Sequence, residues 1–256
     1  MTTSRLSAEL QRLYHLPGGM AAPGDPFLRL VDSQGRVRAM VLSLSRPADW
    51  PLLAAVWRGV QSDLDLPAPA IAVNGVDAYE LWFSLADLVP QADAQAFLLG
   101  LRQRYLAGVK AHRVGMRPSL DGSGAITSTA LIPAAQGDAG HWSAFVAPDL
   151  AAVFGDEPLL DLPPGEDQQA ELLSRLKCIP LSGFEAALGL MQAAPQDLAQ
   201  AVPAAPAPAR ASASLAYAPA AKGHYEDPRL FLQDVMNDLS VPIASRIEAA
   251  KALLAC

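Results

Sequence analysis

The sequence predicts an α+β protein in which helices pack against an antiparallel or mixed sheet. Stretches with the periodicity of strands occur in pairs, stretches with the periodicity of helices separate them, and turn-forming residues stand between the elements. Just over half of the 256 residues are hydrophobic (51%), so the first part of the chain can bury a sizeable core. No internal repeat of fixed period runs along the chain.

Short stretches with the two-residue period of a half-buried strand supply the predicted sheet. The predicted strands lie, in chain order, at 27–31, 37–44, 70–74, 78–85, 113–116, 125–133 and 141–146. The turn at 32–35 predicts that the first two strands pair as a hairpin, and Gly75 marks a second tight turn. The stretch at 125–133 is rich in β-branched residues, which favour strands.

Apolar residues at helical spacing predict helices between these strands. The predicted helices lie at 4–15, 47–64, 91–106, 148–154, 166–176 and 184–191. Pro51 falls within the first turn of the second helix, where its missing N–H costs no hydrogen bond. Glu166 and Asp167 stand at the start of the fifth helix, where the helix dipole favours acidic side chains.

The chain changes character after residue 192. Residues 193–223 are mostly Ala and Pro, and they predict a flexible or semi-extended linker. Residues 224–256 predict a helical hairpin with one apolar seam, which is too small to form a core of its own. The domain prediction is therefore an α+β domain over 1–192, the linker, and a hairpin tail. The tail is expected to dock on the main domain, on a copy of itself or on a protein partner.

The charge and composition of the chain argue against several functional classes. The formal net charge is −7 and the pI is about 5.0, whereas sequence-independent binding to nucleic acid requires a broad basic surface. No apolar run is long enough to span a membrane, and the N-terminus lacks the apolar core of a signal peptide. We therefore expect a cytoplasmic protein without a membrane partner. The two cysteines and four scattered histidines predict neither a disulfide framework nor a metal site.

The strand pair at 70–85 carries the first functional candidates. Asn74 stands in the tight turn, and Tyr79, Glu80 and Trp82 follow in the second strand. Tyr79 and Trp82 have opposite strand parity, so one ring is expected to face the helices and the other the opposite side. Such an aromatic ring is either a stacking platform for a base or ordinary packing. Glu80 has two interpretations: it acts as a general acid or base, or it is a solvated residue of the strand.

One local excess of positive charge follows this strand pair. It consists of Arg102, Arg104, Lys110, His112, Arg113 and Arg117. Arg side chains bind phosphate well, so Arg113 and Arg117 are also candidates for contact with nucleic acid or a ligand. The alternative is the polar face of a helix followed by a loop.

The order strand, helix, strand pair, helix and Arg-containing strand over 37–120 resembles the RepB/MobA-type plasmid replication primases. These belong to the archaeo-eukaryotic primase superfamily. In that branch a Gly-containing turn precedes a Tyr, a polar residue and then a Trp. Here residues 73–75 stand for the turn, and Tyr79, Glu80 and Trp82 stand for the strand. The resemblance implies a distorted RRM-like α+β module.

The chain departs from this family where the primases hold metal ions. Their polymerisation depends on acidic residues at the end of the strand before the first core helix. Here residues 42–46 read Leu-Ser-Leu-Ser-Arg, without a carboxylate before Asp49. Glu80 also replaces the His that the family uses to contact phosphate. We therefore expect no catalytic residue, no metal ligand and no cofactor, with Mg²⁺ relevant only to an active primase.

Three functional hypotheses follow from the sequence. The first is a non-catalytic accessory protein of a bacterial mobile element, such as a plasmid, phage or integrative element. Its degenerate primase-like domain would contact single-stranded nucleic acid, or its C-terminal helices would bind a protein partner. The second is an active replication primase or nucleotidyltransferase, which requires carboxylates clustered at the mouth of the sheet. The third is a module that binds a small ligand or a protein. A closed apolar pocket beside Tyr79 and Trp82 would favour it.

Overall fold

A computed structural model describes residues 4–18, 26–121, 124–137 and 140–200. All of them belong to one unit of the chain that ends at residue 203. The predicted hairpin tail and most of the predicted linker lie outside the described residues. None of the described helices is long and apolar enough to cross a membrane.

Five helices and eleven strands are described along the chain. The helices are α1 (Arg5–Leu13), α2 (Trp50–Ser62), α3 (Gln91–Tyr105), α4 (Glu166–Ser174) and α5 (Leu181–Gln200). The strands are β1 (Phe27–Arg29), β2 (Arg36–Ser45), β3 (Ala70–Val73), β4 (Ala78–Pro90), β5 (Val114–Arg117), β6 (Ser119–Asp121), β7 (Gly124–Ile126), β8 (Ser128–Ala130), β9 (Ala135–Gln136), β10 (His141–Trp142) and β11 (Ala144–Val146). Short 3₁₀ turns cover Ala111–Arg113 and Ala151–Phe154. The predicted α+β class is confirmed.

A five-stranded antiparallel sheet forms the centre of the fold, with its strands in the order β11-β3-β4-β2-β5. From β2 to β5 the chain runs strand, helix, strand, strand, helix, strand, and these four strands lie in the order β3-β4-β2-β5. This arrangement is the split βαβ order of ferredoxin-like and RRM-like modules. The RRM-like α+β fold expected from the sequence is therefore present, and β11 extends it beyond β3.

One face of the sheet packs against α2, α3 and α5. On β4, the Tyr79 ring lies 5.7 Å from the Trp50 ring of α2. Two residues further along, the Phe83 ring lies 5.6 Å from that of Phe97 in α3. Phe97 in turn lies 5.3 Å from Phe184 of α5. Since side chains alternate between the two faces of a strand, the odd-numbered residues of this part of β4 supply the core under these helices.

The opposite face is covered by other parts of the chain, including α1 and α4. Trp82 of β4 lies 5.2 Å from the ring of Tyr14, just after α1, and 5.7 Å from Phe145 of β11. Tyr14 and Phe145 stack with their ring centroids 6.0 Å apart. Arg12 of α1 ties the two helices together, because it donates a hydrogen bond to the carbonyl oxygen of Leu173 in α4. RRM domains use the corresponding face for bases, whereas here the rings of Trp82 and Phe145 are buried on it.

The predicted hairpin between 27–31 and 37–44 is present only around its turn, where the N–H of Asp32 donates a hydrogen bond to the carbonyl of Arg36. β1 pairs with β8, and a single bridge between Val31 and Val37 is the link to the region of β2.

Three other predicted elements have different lengths or types. The predicted strand at 125–133 is divided into β7, which pairs with β6, and β8, which pairs with β1. The predicted helix at 148–154 is a 3₁₀ turn. α5 is longer than predicted and continues through residues 193–200, the first part of the predicted linker.

Gln169 closes the outer edge of the sheet at β11. Its side-chain amide accepts a hydrogen bond from the Phe145 N–H at 2.8 Å and donates one to the Phe145 carbonyl at 2.9 Å. A neighbouring strand would bond to Phe145 in the same way. Two residues earlier, the Ser143 N–H donates to the carbonyl of Ala134 at 2.9 Å. An edge whose outward backbone groups are occupied offers no template for pairing with another chain.

Replacing Gln169 tests how much this closure stabilises the fold. In Gln169→Leu the buried N–H and C=O of Phe145 lose their partners, so we expect the free energy of unfolding to fall by about 2–4 kcal/mol. Gln169→Glu can still accept from the N–H, but an ionised carboxylate repels the carbonyl while a protonated one can donate to it. We therefore expect that variant to lose more stability at neutral than at acidic pH.

Urea unfolding followed by tryptophan fluorescence measures both changes. Gln168→Leu, at the exposed neighbouring position, is the control. If Gln169→Leu were no less stable than Gln168→Leu, the side chain would not be closing the edge.

Candidate functional site

The turn between β3 and β4 is built around Asn74. Its Oδ1 accepts hydrogen bonds from the backbone amides of residues 76–78, each at 2.9 Å. Gly75 adopts a φ of +78°, and a methyl group on it would lie 2.8 Å from backbone atoms of residues 142–143. This position therefore requires glycine. The predicted binding residue Asn74 holds the turn in this structure.

Tyr79 lies in the core between the sheet and α2. Its hydroxyl is 2.9 Å from the carbonyl oxygens of both Ala151 and Gly155, and donates its proton between them. Burial raises the pKa of Tyr79 to about 12. The hydroxyl thereby attaches the 3₁₀ turn at 151–154 to the sheet.

Glu80 lies on the middle strand of the sheet, on the same face as Trp82. The residues directly opposite one another across the five strands are Phe145, Ala72, Glu80, Ser43 and Gly115. Glu80 Oε2 accepts a hydrogen bond from Trp82 Nε1 at 2.8 Å, and its Oε1 lies 3.6 Å from Nη1 of Arg117. A methyl group on Gly115 would collide with Ser43 Oγ, so the strands are closely packed at this row.

Burial raises the pKa of Glu80 above its ordinary value. The hydrogen bond from Trp82 and the charge of Arg117 act in the opposite direction, while Asp77 adds to the increase. The separation of 3.6 Å from Arg117 is longer than a hydrogen bond, and the Arg117 side chain is 36% exposed, so this ion pair offsets only part of the cost of burial. A buried carboxyl group with a raised pKa is a candidate for a functional role.

Three of the predicted site residues therefore form one group, called here the β4 cluster: Glu80, Trp82 and Arg117. Asn74, Tyr79 and Arg113 lie outside it, and each is bonded to backbone. Tyr79 and Trp82 face opposite sides of the sheet, as their strand parity predicts, and both rings are buried. Neither ring presents a face to solvent in this structure.

Arg113 holds the chain that follows β2. Its guanidinium donates hydrogen bonds to the carbonyl of Ser45 at 3.2 Å and to that of Pro47 at 2.7 Å. In the same basic stretch, Arg104 lies 3.5 Å from a carboxylate oxygen of Asp63. Part of the positive charge in this stretch is thus engaged within the fold. Its predicted contact with nucleic acid stays a prediction.

The β4 cluster does not fit the Mg²⁺ site of the resembled primases. Mg²⁺ binds through carboxylates, substrate phosphates and water in octahedral geometry. Ser43 and Ser45 of β2 offer neutral hydroxyls, and the Glu80 carboxylate is already bonded to Trp82 and close to Arg117. In the part of the chain that the structure describes, no three His, Cys, Asp or Glu side chains converge.

A cleft that the sequence analysis did not identify lies beside the outer edge of the sheet, and we call it the β11 cleft. Its volume is about 580 Å³. The larger apolar side chains that line it are Phe145, Val146, Leu150, Phe154, Leu160 and Leu172. Phe145 also contacts Trp82, so the cleft adjoins the β4 cluster. At its rim, Arg5 and Arg175 lie 2.7 Å and 3.2 Å from oxygens of the same carboxylate, that of Glu171.

The amino-acid composition of the segment beside the β11 cleft is the feature of the sequence that could have indicated this site. Residues 147–174 contain no Lys, Arg or His. Their seven carboxylates are Asp149, Asp156, Glu157, Asp161, Glu166, Asp167 and Glu171. Apolar residues are interspersed among them, and Leu150, Val153 and Leu162 are 54%, 78% and 74% exposed. Exposed apolar residues concentrated in one segment are typical of an interaction site.

No protein-family model matches the chain, and no curated protein matches it.

Glu80→Gln tests the buried carboxyl group. The amide oxygen can still accept from Trp82, but the variant has no ionisable group there. With a raised pKa, folded Glu80 holds a proton that the unfolded chain releases, so wild-type stability falls as pH rises through the interval above the ordinary carboxyl pKa. We expect the stability of Glu80→Gln relative to wild type to increase from about pH 4 to about pH 7.

Urea unfolding across this range measures the difference. Asp87→Asn, which removes an exposed carboxylate from the same strand, is the control. A difference between Glu80→Gln and wild type that stayed constant with pH would contradict the raised pKa.

Proposed function

We propose that the chain is a non-catalytic accessory protein that acts by binding another molecule in the β11 cleft. The observation that carries the proposal is the cleft itself, which has apolar walls, charged groups at its rim and a volume of about 580 Å³. Sites for ligands are typically concave, mostly apolar and of this size. Phe145, which lines the cleft, contacts the ring of Trp82.

The setting in a bacterial mobile element rests on the resemblance to the RepB/MobA-type primases. The RRM-like strand order from β2 to β5 supports that kinship. The hydroxyls of Ser43 and Ser45 stand where the primases carry carboxylates, and Glu80 is engaged within the β4 cluster. These features support a domain of primase ancestry that binds without polymerising.

A second candidate function is the binding of single-stranded nucleic acid. The RRM-like strand order favours it, since many such modules bind single strands. The surface available for such contact is the end of α3 and the turn before β5, where Lys110 and His112 are exposed. The partly exposed Arg117 lies on the next strand.

Dye binding tests the proposed site. The neutral apolar dye Nile red should bind wild type saturably and increase in fluorescence. Leu150→Arg places a charge at the cleft, so we expect the affinity for the dye to fall roughly tenfold. Leu190→Arg is the matched control, because Leu190 on α5 is also 54% exposed. Equal affinities of the two variants would contradict the β11 cleft as the binding site.

Fluorescence anisotropy with labelled single-stranded DNA and RNA separates the two candidate functions. Because the chain has a net charge of −7, we expect no binding at moderate salt, with or without Mg²⁺ and nucleotide. Salt-sensitive binding that weakened in Arg117→Ala, but not in the exposed control Arg58→Ala, would favour the second candidate. A nucleotide signal that required Mg²⁺ would instead favour an active primase.

A further inference from the structure

We propose that the β11 cleft receives a basic amphipathic helix of a partner protein. The inference rests on the proposed function and deepens it, because it specifies the chemistry and the shape of the occupant. Three independent properties of the surface lead to it: the extent of its apolar area, the sign of its charge and the state of the backbone at the sheet edge.

The apolar surface extends beyond the cleft. Leu150 and Phe154 line the cleft, and Val153 between them is 78% exposed. Leu162 is 74% exposed and lies two residues after Leu160, another lining residue. Three of the eight large hydrophobic side chains exposed among the described residues are in this one segment. A small ligand held in the cleft would leave this outer surface in water, whereas a macromolecular partner would cover both.

The chain segment beside the cleft is acidic, because residues 147–174 carry seven carboxylates and no Lys, Arg or His. Asp167 lines the cleft, and Asp149 lines a neighbouring pocket that shares Phe145 with it. Among the described residues, no Lys or Arg forms an ion pair with either carboxylate. The two arginines at the rim, Arg5 and Arg175, share the carboxylate of Glu171. A partner with Lys or Arg beside its apolar residues would complement this surface.

The sheet edge excludes one common way of binding a peptide. Strand addition requires outward N–H and C=O groups on the edge strand. At β11 those of Phe145 are bonded to Gln169, and the N–H of Ser143 is bonded to Ala134. A helix laid into the groove, with apolar anchors three or four residues apart, requires no backbone groups from the sheet edge and suits an apolar cleft.

A titration with a model peptide tests this proposal on the full-length chain. The probe is a fluorescein-labelled 18-residue peptide of Leu and Lys, arranged so that one helical face is apolar. Its twin carries Glu in place of Lys. We expect the Lys peptide to bind, with an affinity that decreases with salt, and the Glu peptide not to bind.

Two variants with matched controls assign the binding to the cleft. The double variant Asp149→Asn, Asp167→Asn should weaken binding roughly fivefold at low salt and less at high salt. Its control is Asp87→Asn, Asp93→Asn, in which Asp93 lies in the first turn of α3 as Asp167 does in α4. Leu150→Ser should also weaken binding severalfold, whereas its control at the equally exposed Leu190 should not.

The outcomes distinguish failure of this inference from failure of the proposed function. If the Lys peptide does not bind, or binds all the variants and controls equally, the inference is overturned. If Nile red still binds and Leu150→Arg still lowers its affinity roughly tenfold, the proposed function stands without this inference. If sedimentation detects a dimer that is lost in Leu150→Ser, the occupant is a second copy of the chain and the inference is also overturned.

Discussion

The burial of both faces of one antiparallel sheet is the constraint on which the rest of the structure depends. In a split βαβ module the two crossover helices cover a single face. Here α1 and α4 contribute to covering the second, so polar groups on it are removed from water and require partners. The hydrogen bond between Trp82 and Glu80, and the pairing of Gln169 with Phe145, meet this requirement. The second of these also attaches α4 to the sheet edge.

The β11 cleft is a consequence of that attachment. α4 is held to β11 at Gln169, and the segment from 147 to 165 passes around the other side of the gap between them. The hydroxyl of Tyr79 fixes part of this segment from within the core, through the carbonyls of Ala151 and Gly155. The cleft is therefore bordered by anchored backbone, and its acidic and apolar side chains project from a defined frame. A preformed frame of this kind lowers the ordering cost of binding.

The sequence was sufficient to predict the parts of the fold that depend on local periodicity. Alternation in β4 placed Tyr79 and Trp82 on opposite faces, and apolar spacing predicted α2 and α3. The pairing of β1 with β8 was missed because it joins residues about a hundred positions apart and has no local signal.

The same limit applied to the candidate site. The sequence left Glu80 as either a solvated strand residue or an acid or base, yet the residue is buried, and one of its two side-chain partners is Arg117, 37 positions away on β5. The β11 cleft was missed because its walls come from residues as distant as Arg5 and Arg175, so no single stretch specifies it.

The backbone amide of Phe145 is bonded to the side chain of Gln169 and not to a neighbouring strand, and this affects how fast the amide exchanges its hydrogen with solvent. A backbone amide bonded to a neighbouring strand exchanges its hydrogen with solvent when the sheet opens, which usually requires global unfolding. The amide of Phe145 is bonded to Gln169 instead, so it becomes accessible whenever α4 separates from the edge. Its exchange rate therefore reports the local detachment of a single nine-residue helix, whereas the amides of Ala144 and Val146, which face β3, report the opening of the sheet.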